Sequence, residues 1–309
     1  AVPLFAYHFL TTGGTTLSAG LEASGADSAN FLNLMKNGDG SNNIVSVISG
    51  LGWGLGYFGM PHILVRFMAV RDEKEMTKSK ATAISWVALS LGFAVFIGTL
   101  GRAYLPELVN GNNEKVFIEM IKKVFTVEMR APFIAGLFLC GILAAIMSTA
   151  DSQLLVSASS VAEDIFKGLL KKDADDKTVM NVSRVTVLLV AVLAYIIAWN
   201  PNNTVMGLVS NAWAGLGAAF GPLVVMSLYW KRTNFPGAVA GIVTGALAVI
   251  IWDYIPLVGG QTLGKATGLY SLVVGFGLGL IAIIAVSLAT KAPSEEMLQE
   301  FEDVKANRL

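Results

Sequence analysis

Two clusters in this chain combine residue types and spacings that could do chemistry. In the first, residues 52–61 read Gly-Trp-Gly-Leu-Gly-Tyr-Phe-Gly-Met-Pro. Trp53, Tyr57 and Pro61 recur at i, i+4 and i+8, which on a helix sets both rings on one face until the helix breaks. Rings beside unpaired backbone suit a small zwitterion with an apolar body. The rings cover its hydrocarbon part, while amide N–H groups at the start of a half-helix receive its carboxylate. The competing reading is packing, with Gly50, Gly54 and Gly59 admitting close neighbours. In the second cluster, residues 144–152 read Ala-Ala-Ile-Met-Ser-Thr-Ala-Asp-Ser. Ala145, Ser148 and Thr149, related by i, i+3 and i+4, can aim one carbonyl and two hydroxyls at one point. Oxygen donors of this kind suit a small hard cation such as sodium. Such hydroxyls can equally bond back to their own helix. Asp151 is a functional candidate because an acid this close to apolar segments is costly, although a solvated position or a basic loop partner would also explain it.

The elements that must hold these clusters are apolar spans. Of 309 residues, 54% are hydrophobic and 14% charged, where a soluble domain carries about a quarter charged. The charges are also segregated, leaving residues 81–101, 185–230, 233–252 and 266–290 without any. This composition predicts an all-α polytopic membrane protein. Complete apolar segments fall at 42–66, 81–104, 131–166, 180–199, 204–230, 235–254 and 267–290. The first holds the Trp53 cluster, and its glycines and Pro61 predict a broken helix. Unpaired backbone at membrane depth persists only where it lines a cavity or is buried in protein. The segment 131–166 would be roughly 54 Å long as one helix, more than a bilayer needs, so its charged end at Glu163, Asp164 and Lys167 should project into water. Residues 1–21 read as the tail of a helix whose beginning is absent, so the chain is expected to be a piece of a longer protein.

Placing the loop after the broken helix in the cytoplasm puts fifteen Lys and Arg inside, among them Arg66, Lys171, Arg232 and Arg308. It leaves seven outside: Lys36, Arg102, Lys115, Lys122, Lys123, Arg130 and Lys265. The carboxyl terminus is then cytoplasmic. Residues 114–125 have helical amphipathic spacing and are expected on the outer surface. Ser294-Glu-Glu opens a tail, residues 294–309, with helix-start chemistry, following a transmembrane domain over 1–293.

Other features carry less. Gly237, Gly241 and Gly245 form a small-residue ridge, read as a helix-packing face. Asn211 and Trp213 could line a cavity or only pack. The lone Cys140 reads as a small core residue, and His8 and His62 lack metal-ligand spacing. Zero net charge gives no support for a nucleic-acid partner. No nucleophile elbow, zinc-protease helix or phosphate loop is present, so the chain is not read as an enzyme.

Three motifs together resemble the sodium:solute symporter family. They are Gly-Trp-Gly-Leu-Gly-Tyr-Phe-Gly-Met-Pro-His-Ile at 52–63, Ile-Leu-Ala-Ala-Ile-Met-Ser-Thr-Ala-Asp-Ser-Gln-Leu-Leu at 142–155, and Gly-Leu-Val-Ser-Asn-Ala-Trp-Ala-Gly-Leu-Gly-Ala-Ala-Phe-Gly-Pro at 207–222. The resemblance covers residues 1–293 and implies the inverted-repeat amino-acid transporter (LeuT-like) fold, present here as the second five-helix repeat plus two peripheral helices. It implies sodium-coupled symport of L-proline across a bacterial cytoplasmic membrane. Sodium is then the coupling ion, membrane lipid the surround, and neither a further cofactor nor an obligate protein partner is implied. Trp53, Tyr57 and Pro61 match the family's solute contacts; Ala145, Ser148 and Thr149 match its sodium ligands. Asp151 and Ser152 match the adjoining motif without a ligand role, while Met60 and Asn211 sit where the family varies. The broken helix of the first repeat, which completes both sites in the family, has no counterpart, so this chain alone should not transport. Rival readings are a sodium symporter for another small solute, and a membrane sensor or scaffold that keeps the fold without flux.

Overall fold

Polar caps, rather than the ends of apolar runs, decide where several of the helices begin. The computed structural model describes residues 1–110, 113–200 and 204–306. In chain order the helices are α1 (Val2–Thr12), α2 (Leu17–Ala23), α3 (Ser28–Phe31), α4 (Ile44–Gly52), α5 (Pro61–Met68), α6 (Glu73–Tyr104) and α7 (Val116–Ile121). They continue as α8 (Pro132–Ser159), α9 (Asp176–Ala198), α10 (Val205–Tyr229), α11 (Phe235–Tyr254), α12 (Leu263–Thr267), α13 (Ser271–Ala289) and α14 (Glu295–Lys305). The apolar run predicted at 81–104 is preceded by two further helical turns. Asp72 caps them by accepting from the Glu75 N–H at 2.9 Å, satisfying a donor the helix leaves free. Asp175 does the same for α9 through Thr178, which places the helix start four residues ahead of the apolar segment at 180. Helix α8 continues in wider turns over Ser160–Leu170, so the long predicted segment is one rod carrying Glu163, Asp164 and Lys167 at its end.

Among the described residues, six helices are long and apolar enough to cross a membrane, and the bent pair α4–α5 makes a seventh span if it is counted as one. That agrees with the seven complete segments read from the sequence. The all-α expectation needs one small correction. Pro256–Val258 and Gln261–Thr262 form an antiparallel hairpin between α11 and α12. Its turn is Gly259-Gly260, both with positive φ (56° and 79°), the conformation a two-residue hairpin turn requires.

The chain divides into two compact units. One comprises Ala1–Asn33, Gly38–Gly40 and the described residues of Val70–Thr204; the other comprises Leu34–Asn37, Ser41–Ala69 and the described part of Val205–Leu309. In the first unit, α1, α2, α6 and α7 enclose a core of Leu21, Leu100, Met120, Ile121, Val124 and Phe125. Phe138 of α8 stacks on Phe125 with ring centroids 5.0 Å apart. The amphipathic segment predicted at 114–125 is helical and buries Met120, Ile121, Val124 and Phe125. Cys140, in the same unit, is exposed and is therefore not the core residue predicted.

In the second unit, α10, α11 and α13 pack through small residues. Gly237, Gly241 and Gly245 are buried, as expected of a packing face: a Cβ at Gly241 would strike Ile283, and one at Gly245 the Ala218 backbone. The tail helix α14 starts where predicted, with the Ser294 hydroxyl oxygen accepting from the Met297 N–H at 3.3 Å. Lys231 holds it by an ion pair to Glu302 (3.0 Å). Arg308 and the rest of 307–309 lie outside the described residues.

Candidate functional site

The Trp53 cluster sits at a break in the second unit. Helix α4 ends at Gly52, the chain tightens to 3-10 turns over Trp53–Gly59, Met60 is extended (φ −93°, ψ 110°), and α5 resumes at Pro61. The two halves are bent by 57°. Pro61 is the first residue of α5, where a missing N–H costs nothing. The glycines explain why the break packs so closely against α10. A Cβ at Gly56 would overlap the Trp213 indole, and one at Gly59 would lie 2.5 Å from the Leu216 carbonyl oxygen and 2.7 Å from Gly217 Cα. Gly52 does the same against Val273, whereas a Cβ at Gly50 or Gly54 would meet nothing within 4 Å. Close approach therefore accounts for Gly59 but not for Gly50 or Gly54.

The rings do not lie as an α-helical i, i+4 spacing would set them. Tighter turns rotate residue i+4 away from residue i. Trp53 and Tyr57 are brought together instead by Trp213 of α10. Its ring stacks with Trp53 (5.8 Å between centroids, planes 16° apart) and takes Tyr57 edge-on at 4.9 Å. The Trp213 indole N–H donates to the Trp53 carbonyl at 2.9 Å, satisfying backbone freed by the break. Tyr270 stacks on Trp53 as well, at 5.5 Å. Its own N–H donates to the Ser49 hydroxyl at 3.0 Å, and its phenol donates to the Ser210 carbonyl at 2.7 Å. Trp213 carried a sequence signal, an indole within an apolar span. Tyr270 carried none, because its partners lie 60 and 221 residues away.

Fewer amides are free at the start of α5 than an open half-helix would offer. Pro61 has none, and Ile63 and Leu64 both donate to the Met60 carbonyl at 3.0 Å. Trp53 is half-buried, Tyr57 is 48% exposed and Pro61 is exposed. An aromatic wall with a bent backbone beside it is the result.

The hydroxyl cluster lies on α8 in the first unit. Ser148 Oγ donates to the Ala145 carbonyl at 3.0 Å, and Thr149 Oγ1 donates to the same oxygen at 3.2 Å. The spacing thus gathers all three oxygens at one point, through the back-bonds that membrane-helix hydroxyls commonly make. Ser152 repeats the pattern one turn on, bonding the Ser148 carbonyl at 2.9 Å. All three candidate residues are exposed on this unit, and Ala145 and Thr149 line an open groove with Ile142 and Gln153. Asp151 is exposed and joins no ion pair among the described residues.

Apolar spans, one of them broken and bearing an aromatic wall, and a separate span with clustered hydroxyls define a polytopic helical membrane protein. Residues 3–245 match the model of the sodium:solute symporter family, and the chain belongs to that family. It is 45% identical over 271 residues to the sodium/proline symporter of Escherichia coli K12, covering 86% of this chain and 51% of that protein. It is 41% identical over 263 residues to the high-affinity proline transporter PutP of Bacillus subtilis 168 (84% and 53%). It is 42% identical over 259 residues to the osmoregulated proline transporter OpuE of the same strain (84% and 51%). The chain spans about half the length of these curated relatives. No solved structure matches it.

Proposed function

We propose that the protein carrying this chain is a sodium-coupled symporter of L-proline in a bacterial cytoplasmic membrane, working by alternating access. Relatives named for sodium/proline symport and proline transport support the substrate and the ion. The observation that carries the reading is the 57° break with its aromatic wall, because interrupted spans are where transporters of this kind hold their solutes. Trp53, Tyr57 and Pro61 contact the apolar ring of proline, with Trp213 completing the wall. Ala145, Ser148 and Thr149 supply oxygens to sodium. Sodium and proline binding favour each other, and the sodium gradient plus the membrane potential (about 2.3 kcal/mol per charge per 100 mV) drives accumulation. The remaining ligands of both sites come from a first inverted repeat outside this chain. The positive-inside bias, fifteen basic residues against seven, orients the molecule with α14 in the cytoplasm.

The test is radiolabelled proline uptake by the full-length protein in proteoliposomes, competed in turn by proline, glucose and pantothenate. Accumulation that requires an inward sodium gradient and yields only to unlabelled proline is the expected result. Binding of proline without sodium-dependent accumulation would favour a sensor, and competition by another solute would change the substrate.

A further inference from the structure

Beside Trp53 the second unit contains an open pocket of about 430 Å³, within the size range of small-molecule sites (about 300–1,000 Å³). Its walls include Ser49, Trp53, Asn211, Asp253, Tyr270 and Ser271. Asp253 is half-buried near the end of an apolar span, where a carboxylate is costly and needs a reason. The surroundings hold it in place. The Ser271 hydroxyl, on a residue only 2% exposed, donates to one carboxylate oxygen. The neighbouring Trp252 indole donates to the Leu269 carbonyl at 3.0 Å and ties down the loop ahead of Ser271. Gly264 lets that loop approach, since a Cβ there would sit 2.9 Å from the other carboxylate oxygen. No ion pair among the described residues involves Asp253. A positioned negative charge therefore faces an aromatic-walled space without a protein cation.

The chemistry of that space favours an organic ammonium over a small hard cation. Sodium wants several free oxygens. Here Asp253 is the one charged oxygen donor among the lining residues, and the Ser49 hydroxyl and the Ser210 carbonyl each already accept a hydrogen bond from Tyr270. A weakly hydrated ammonium gains from the carboxylate and tolerates the aromatic side chains that line the same space. In the proposed orientation the end of α11 and the start of α13, whose Asp253 and Ser271 line this space, lie on the outer face. We infer that Asp253 and Ser271 form an outer subsite that captures the cationic nitrogen of the solute beside Trp53, before the solute reaches the break. This rests on the symport reading and adds a second, charge-selective station to it.

The test uses the full-length protein in proteoliposomes, radiolabelled L-proline, and cyclopentanecarboxylate as a competitor that keeps the ring and carboxylate but lacks the nitrogen. Asp253→Asn should raise half-saturating proline about tenfold while leaving half-saturating sodium, read at saturating proline, and the inhibition constant of cyclopentanecarboxylate unchanged. Asp253→Glu should restore most of the affinity. Ser271→Ala, which removes the hydroxyl that holds the carboxylate, should give a smaller loss of the same selectivity and serves if Asp253→Asn does not fold. Unchanged proline affinity in Asp253→Asn would overturn the inference, as would an equal loss for both ligands or a shift in sodium dependence alone. Absence of proline uptake by the unaltered protein would reject the symport reading and this inference with it; normal uptake with an indifferent Asp253→Asn would reject the inference alone.

Discussion

Ser148 and Thr149 spend their hydroxyl protons on one carbonyl, that of Ala145, which leaves the hydroxyl lone pairs free to face a cation. Each oxygen removed should therefore weaken sodium binding by about one ligand's share. In the full-length protein, Ser148→Ala or Thr149→Ala should raise half-saturating sodium for uptake about tenfold, ~1.4 kcal/mol. Unchanged sodium dependence in both would leave these hydroxyls as back-bonds only. Trp53 makes the opposite prediction, because its ring lies in an aromatic wall with Trp213 and Tyr270. Trp53→Ala should weaken proline affinity by about tenfold or more and sodium affinity less; uptake titrated separately in each ligand would reveal the reverse order. At this scale the residue types were legible in the sequence, since carbonyl and hydroxyls at i, i+3 and i+4 must meet on any helix. The ring partners were not, because Trp213 reaches Trp53 across 160 residues and no local pattern encodes that.

The break in the α4–α5 span was also legible, being written in local chemistry. Pro61 can start a helix but not continue one, and Gly52, Gly54, Gly56 and Gly59 closely precede it. What the spacing could not tell was which glycines answer to packing. Gly59 lies against the α10 backbone at Leu216 and Gly217, while Gly54 has open space. Gly59→Ala should cost about 1–3 kcal/mol by forcing the break away from α10, and Gly54→Ala should cost far less, as read by thermal unfolding of the purified protein. Equal costs would mean that conformational freedom, not contact, selects these glycines. Helices α6 and α9 begin ahead of the apolar segments at 81 and 180, because apolar content marks where a span is apolar, whereas Asp72 and Asp175 mark where its helix begins. The tail helix α14 makes a prediction of its own. Its Glu302 carboxyl is held below the ordinary glutamate range, first by the hydrogen bond from Lys231 and then by that residue's charge. The folded value is the lower one, so this contact is intact at neutral pH and is lost as pH falls through it. Protection of the amides over 295–305, measured against their intrinsic exchange rates, should fall on acidification to that range, and Lys231→Ala should show the lower protection already at neutral pH.

For the molecule as a whole, the number of spans and their apolar faces follow from charge segregation, and the family from the three motifs in order. The aromatic wall and the hydroxyl cluster belong to different units, each with its own core. A symporter in which proline and sodium bind to separate elements must link them through the conformation that both favour, and linkage makes the coupling mutual. The most direct measurement of that claim is equilibrium binding of radiolabelled L-proline to the purified full-length protein, in sodium and then in choline at equal ionic strength. At least tenfold tighter proline binding is expected in sodium, with a matching loss of that difference in Thr149→Ala. Equal affinity in the two salts would contradict it.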